Sequence, residues 1–192
     1  MQKKLIATEI GGIVFGAVLS LFLQNLHTLS DRGLIGVLFG AVNNSIWETL
    51  KTLLLPYLLW AMLEVLCIKP RFHKFAAAKI ICLYVTGVVF IGLELVLSLF
   101  STGGGAADFA AVVVCLVFAA VLSEKLYFSL FELEKLFVPL AFMLLLFVAF
   151  FCSFTPFPPH NIIFEDRATG LYGIIPEYID KGASALDAIY FL

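Results

Sequence analysis

Charged side chains are scarce in this sequence, because Asp, Glu, Lys and Arg make up 14% of its 192 residues. An ordinary soluble domain carries about 25% of these residues, so the composition excludes that class. The charges form no long run of one sign, and the net charge is -2. Nucleic-acid-binding proteins usually show a basic patch or tail, and we therefore expect no nucleic-acid partner.

Metal and redox motifs are missing as well. The four cysteines lie inside apolar runs and form no C-x-x-C motif, which favours small buried side chains over zinc ligands or disulfides. The three histidines have no i,i+4 spacing, and neither HExxH nor GxSxG occurs. We assign no catalytic residue and expect no metal ligand and no cofactor, with a membrane-embedded enzyme kept as an alternative.

Apolar residues dominate instead, forming 62% of the chain with a mean hydropathy of +1.05. A spanning helix needs about 20 mostly apolar residues to cross about 30 Å of hydrocarbon. We predict an all-α integral membrane protein with five transmembrane helices, at residues 5–24, 45–68, 76–100, 107–123 and 136–153. Gly33–Val42 is apolar but short, which predicts a re-entrant or interfacial helix.

The Lys and Arg residues near the ends of these spans predict the topology, because such residues accumulate on the cytoplasmic side. Arg32, Arg167 and Lys181 fall on one side, with Lys51 at the start of its helix. Eight fall on the other side: Lys3, Lys4, Lys69, Arg71, Lys74, Lys79, Lys125 and Lys135. We predict a multi-pass protein of the cytoplasmic (inner) membrane, with a cytoplasmic N-terminus and an extracytoplasmic C-terminus.

This topology divides the chain into two parts. Residues 1–153 are expected to form the transmembrane domain, and 154–192 an irregular extracytoplasmic tail that folds over its outer face. The start resembles a signal peptide, but no small-x-small cleavage site follows the first apolar run, so we expect a retained helix.

The stretch NNSIWETLK, residues 43–51, concentrates polar groups at a break between apolar segments. Ser45 and Glu48 form a capping-box pattern for the following helix. Trp47 is typical of a ring at the membrane interface, and Lys51 could pair with Glu48 or extend to the headgroups. These structural readings leave the two adjacent asparagines at the break unexplained.

The chain resembles a family of small bacterial integral-membrane proteins of unknown function, which carry N-E-S-x-W-E-H-L-K and P-P-H-x-x-x-F-x-D-x-x-T-G-x-Y-G-I motifs. The corresponding stretches here are NNSIWETLK and PPHNIIFEDRATGLYGI, and the resemblance extends to residue 174. Asn44 and Thr49 stand where the pattern has Glu and His, so the resemblance implies no chemistry here that needs that acid or imidazole. Residues 175–192 look like an addition. The resemblance implies a fold and no known activity.

Both motifs fall on the predicted outer side. Three prolines in TPFPPH predict a stiff connection, and TGLYG supplies turn residues. We expect the tail from Pro158 to Tyr172 to pack over the break, with His160 or Asp166 in contact with Asn44, Trp47 or Glu48. The predicted ligand-binding residues are Asn43, Asn44, Trp47, Glu48, Lys51, Glu94, His160, Asp166, Thr169 and Tyr172. Further candidates nearby are His27, Asp31, Glu165 and Arg167.

Other acidic residues within the spans need an explanation, because ionisable groups in a membrane are costly. We expect Glu9 and Glu64 to reach the interface and Asp108 to be a charge at a helix start. Glu94 lies deeper, where a pair with Lys51 or a role in binding a proton or ligand are alternatives.

Small residues recur at four-residue spacing in two segments. Gly12, Gly16 and Ser20 do so in the first span, and Gly36 and Gly40 in the short apolar segment. This pattern permits close approach between membrane helices, and we expect it to serve packing.

Three function classes are compatible with these observations. The first is a membrane protein that binds or moves a small molecule or ion at its outer face, since interrupted helices expose backbone groups to ligands. The second is an accessory or scaffold protein whose tail engages a membrane protein partner or a second copy. The third is a membrane-embedded hydrolase using His160 with Asp166 or Glu48 as acid and base or as metal ligands. All three place the chain in a lipid bilayer.

Overall fold

A computed structural model of the protein describes residues 2–100 and 105–175, and it is helical throughout its apolar part. A short 3-10 helix, Leu133–Leu136, precedes the last helix. The α-helices are α1 Gln2–Leu29, α2 Leu34–Phe39, α3 Ile46–Ile68, α4 Phe72–Phe100, α5 Gly105–Tyr127 and α6 Phe137–Phe154.

Within the described residues, five helices are long and apolar enough to cross a membrane. They are α1, α3, α4, α5 and the continuous unit Leu133–Phe154, which confirms the predicted all-α membrane fold. The start of α4 differs from the predicted boundary, because the helix begins at Phe72 rather than at residue 76. Lys79 therefore lies well inside the helix.

The short helix α2 runs back along the end of α1. Asp31 and Arg32 adopt left-handed backbone conformations, with φ of 54° and 58°, and reverse the chain between the two helices. The backbone N–H of Ala41 then donates to the carbonyl of Leu23 at 3.1 Å. A Cβ on Gly40 would lie 2.9 Å from the backbone nitrogen of His27, so glycine permits this approach.

Helices α1, α3, α4 and α5 form the core of the bundle, and α6 packs on the outside against α4. Leu53, Leu83, Phe90 and Val112 fill the core and are almost inaccessible to solvent. Gly16 of α1 lies against Leu116 of α5, where a Cβ would approach the leucine methyl groups to 2.9 Å. The small-residue pattern therefore serves helix packing, as predicted.

The chain after α6 folds back over the end of the bundle where α1 ends and α3 begins, called here the tail-side end. The backbone N–H of Trp47 donates to the carbonyl of Ile163 at 3.0 Å. Glu165 and Tyr172 form an isolated antiparallel bridge within this tail. The segment 176–192, including Lys181, lies outside the described residues.

Candidate functional site

The side chain of Glu48 joins three segments at the tail-side end. Its Oε2 accepts a hydrogen bond from the backbone of Val42 at 3.1 Å, and its Oε1 accepts one from Thr155 at 3.0 Å. Ser45 accepts from the Glu48 N–H, as a capping residue should. A full capping box would also have the Ser45 N–H donate to the Glu48 side chain. That part of the prediction is wrong, because the Ser45 N–H donates to the Asn43 side chain instead.

Lys51 is completely buried beside Glu48, with 2.7 Å between the ammonium and carboxylate. It also donates to the carbonyl of Val37 and to Thr155, each at 3.1 Å. Pairing is therefore the correct alternative for Lys51, and the alternative of extension to the headgroups is wrong. The alternative of a Lys51–Glu94 pair is also wrong, since Lys51 pairs with Glu48 and Glu94 with Arg167.

Asn43 and Asp166 fasten the tail to the break before α3. The Asn43 amide donates to the carbonyl of Gly173 at 2.8 Å. The Asp166 carboxylate accepts from the backbone N–H of Asn44 at 2.8 Å and from the Thr169 hydroxyl at 2.6 Å. The predicted packing of the tail over this stretch is confirmed. Asp166 makes the contact, whereas His160 stacks on Tyr172 with ring centroids 4.7 Å apart.

Trp47 lies in an aromatic cluster rather than serving as an isolated interface ring. Its ring stacks on Phe151 and contacts Phe154 and Phe164, with centroids 4.8, 5.5 and 4.9 Å away. Among the described residues the buried indole N–H has no hydrogen-bond partner. The cluster connects α3, α6 and the tail through apolar contact.

Arg167 brings together two acidic residues from different helices, and we call Glu94, Asp108 and Arg167 the arginine triad. Its guanidinium lies 2.6 Å from the Glu94 carboxylate and 3.0 Å from that of Asp108. Burial lowers the pKa of Arg167, but the hydrogen bond to Glu94 and the two negative charges outweigh burial and raise the pKa. Asp108 lies in the first turn of α5, where predicted, and in addition holds the tail.

A cleft of about 250 Å³ opens beside these contacts at the tail-side end. We call it the tail-side cleft. Its lining residues are Gln24, His27, Thr28, Arg32, Ala41, Val42, Asn43, Asn44, Thr49, Gly105 and Asp108. The cleft is polar because amides, hydroxyls and charges of both signs converge on it.

Some of the residues that line this cleft were predicted from the sequence, and others were not. Asn43, Asn44 and His27 line it as candidate residues, whereas Glu48, Lys51 and Asp166 form the framework around it. The polar lining residues that were not predicted to bind a ligand are Thr49, Asp108 and three residues at the end of α1 and in the turn after it, Gln24, Thr28 and Arg32. The polarity of these last three at the end of an apolar helix was the available signal.

In the parts of the chain that the structure describes, no three His, Cys, Asp or Glu side chains are arranged to hold a metal ion. His160, Asp166 and Glu48, the proposed hydrolase residues, engage Tyr172, Asn44 and Lys51 respectively.

A second charged cluster lies at the opposite end of the bundle. Glu9 and Glu64 are 6% and 1% exposed, so the expectation that they reach the interface is wrong. Both carboxylates contact Lys79, at 2.7 and 2.6 Å. We call these three residues the lysine triad. Ser123 also donates a hydrogen bond to Glu9.

Comparison with known proteins gives a family and no activity. A model of the family of unknown function DUF6512 matches residues 1–174. No curated protein and no solved structure shows a significant match to the chain. The match spans all five membrane helices and the described tail almost to its end.

Proposed function

Because this chain belongs to DUF6512, a family of unknown function, we propose its role from the geometry: it binds a small polar solute in the tail-side cleft. The observation that carries this proposal is a polar cleft of about 250 Å³ at the end of a membrane bundle. The lining residue Val42 donates a hydrogen bond to Glu48, which pairs with Lys51, and a framework held in this way reduces the ordering cost of binding.

The lining of the cleft favours a neutral or zwitterionic solute. The side-chain amides of Gln24 and Asn44 can each donate and accept hydrogen bonds. Arg32 and Asp108 add one positive and one negative charge to the lining. The volume is below the roughly 300–1,000 Å³ of pockets for drug-sized ligands, which favours a solute with few non-hydrogen atoms.

The partners of the tail support binding over the two alternatives. A scaffold tail needs polar groups available to another protein, yet Asp166 and Arg167 of the tail are engaged within this chain. A hydrolase needs an acid and base beside a shared reaction centre, whereas the candidate acids and His160 serve separate contacts. Both alternatives therefore rank below solute binding.

We also propose that the tail-side end faces away from the cytoplasm of an inner membrane. Lys79 is buried in the lysine triad, so it does not count as a flanking charge. The remaining seven basic residues still flank the opposite end: Lys3, Lys4, Lys69, Arg71, Lys74, Lys125 and Lys135. Arg32 and Arg167 are at the tail-side end, and Arg167 is committed to carboxylates. The asymmetry supports a cytoplasmic N-terminus.

Thermal unfolding in lipid nanodiscs tests solute binding. The panel contains neutral amides, polyols, zwitterionic amino acids, carboxylates and amines. We expect at least one neutral or zwitterionic solute to raise the unfolding midpoint in a concentration-dependent way, since a ligand that binds the folded state stabilises it.

Asn44→Leu should abolish that rise, because the exposed Asn44 side chain lines the cleft while its backbone holds the tail. Asn25→Leu is the matched control, since Asn25 is exposed on α1 and donates to its own helix. A panel without any stabilising neutral or zwitterionic solute, or an equal rise in Asn44→Leu, would contradict the proposal.

A further inference from the structure

We propose that the lysine triad is a buried proton-binding site, in which the two carboxylates together take up one exchangeable proton. The triad lies at the end of the bundle opposite the tail-side cleft. It contains two carboxylates and one ammonium, with each carboxylate within 2.7 Å of the ammonium. The triad shares no residue with the lining of the tail-side cleft, so proton binding here does not depend on solute binding there.

The charge of the triad gives the first reason. When all three groups are ionised, the cluster carries a net charge of -1, although Glu9, Glu64 and Lys79 are 6%, 1% and 3% exposed. An uncompensated charge at such a position is costly. Transfer of one proton from a hydronium ion to a carboxylate leaves water and a neutral acid, and it brings the cluster to zero charge.

The hydrogen-bond donors around the two carboxylates are too few for both to carry a full negative charge. Glu9 accepts from both Lys79 and Ser123. Glu64 contacts Lys79 through Oε2, but its buried Oε1 has no donor among the described residues. A buried oxygen without a donor costs more when it belongs to an anion than to a neutral acid.

The other groups around the triad are neutral donors with partners of their own. Tyr57 donates to the carbonyl of Lys79 at 3.4 Å, and Cys82 donates to the carbonyl of Ala119 at 3.1 Å. The titratable or hydroxyl groups facing the triad from α1, α3, α4 and α5 are Glu9, Tyr57, Glu64, Lys79, Cys82 and Ser123.

A proton suits this site better than a metal cation. The ammonium of Lys79 already lies between the two carboxylates, where a cation would otherwise bind, and the rings of Tyr57 and Phe75 flank it at 5.3 Å. A proton needs no such space.

Water can deliver the proton over a short distance. Glu64 is four residues from the end of α3, or about 6 Å along the helix axis. A cavity of about 10 Å³, lined by Glu9 and Tyr57 among others, adjoins the triad. This volume is at the lower limit for one water molecule.

Infrared spectroscopy of the protein in nanodiscs tests the proposal, because a protonated carboxyl group has its own carbonyl band. The arginine triad also holds two carboxylates and one cation, so the measurement uses Glu94→Gln as its background. We expect the Glu94→Gln variant to show the band of one protonated carboxyl group per chain at pH 7, where exposed glutamates are ionised.

Adding Glu64→Gln should remove the band, because the remaining Glu9–Lys79 pair is neutral. Adding Glu132→Gln instead should leave it unchanged, since Glu132 is an exposed partner of Lys135. If Glu64→Gln does not fold, Glu64→Asp should shift the band in frequency.

Absence of the band at pH 7 in the Glu94→Gln protein would overturn the proposal. So would a band that persists without change after either substitution at Glu64. Binding of Na⁺ or K⁺ by a triad that shows no protonated carboxyl would assign the site to a cation instead.

Discussion

The carboxylate of Asp166 accepts a hydrogen bond of 2.8 Å from the backbone N–H of Asn44, across 122 positions of the chain. The same carboxylate accepts two bonds from Thr169 and so shapes the turn that comes after it. One side chain thus organises the tail and attaches it to the break before α3.

Asp166→Ala should loosen the tail, because it leaves the Asn44 N–H without its acceptor and removes the partner of Thr169. A hydrogen bond to a charged group contributes about 1.5–3 kcal/mol, and we expect a loss of about 2 kcal/mol in the free energy of unfolding. Limited proteolysis should cut the tail faster than in the wild type. Glu134→Ala is the control, because this acidic side chain is exposed in the 3-10 helix at the opposite end of the bundle. Equal cleavage rates in both variants would contradict the assigned role.

The Glu48–Lys51 pair should behave as a unit. Glu48→Gln or Lys51→Met alone leaves a buried charge without its partner, which costs about 3–5 kcal/mol. The double substitution removes both charges and should recover a large part of that loss. A double-mutant cycle from denaturant unfolding in detergent measures the coupling. Additive losses would show that the two residues do not stabilise each other.

Arg167→Met should expose the repulsion between Glu94 and Asp108, which its guanidinium now separates. We expect destabilisation of about 3 kcal/mol, from the cost of breaking a buried pair. Arg167→Lys should recover part of it, because lysine keeps the charge but not the forked geometry. Adding Glu94→Gln to Arg167→Met should raise the thermal unfolding midpoint part of the way back to that of the wild type. An unchanged midpoint would contradict the repulsion between Glu94 and Asp108.

Gly16→Leu should separate α1 from α5, because the new side chain meets Leu116. Overpacking of this kind costs about 1–3 kcal/mol. Gly92→Leu is a matched control, since a Cβ at Gly92 has no neighbour within 4 Å and the change in helix propensity is the same. Equal unfolding midpoints for the two variants would contradict close packing at Gly16.

The proposed orientation predicts opposite accessibility for the two ends of the chain. In a background with its four cysteines replaced, a cysteine at position 162 should react with an impermeant thiol reagent added to intact cells. A cysteine at position 4 should react only after the cells are opened. Ile162 is 63% exposed in the tail, so its reactivity is not limited by burial. Labelling of position 4 but not of position 162 in intact cells would indicate the opposite orientation.

The sequence by itself determined the membrane fold and the place of the tail. A bilayer requires about 20 apolar residues for each span, and this requirement can be counted along the chain without knowing which helices are neighbours. The helix start at Ser45 was equally local, because its hydroxyl acts three residues away on the Glu48 N–H. The tail motif predicted that a polar segment would cover the break.

Only the tertiary structure decided which charges meet. Lys51 had plausible partners in Glu48 and Glu94, and the choice depended on helix rotation and on Arg167 arriving from the tail. Glu9, Glu64 and Lys79 come from three helices, and none of their sequence positions reveals that they share one buried site. The physical reason is that hydropathy fixes the depth of a residue in the membrane, whereas its partners depend on the rotation and order of the helices, which packing alone sets.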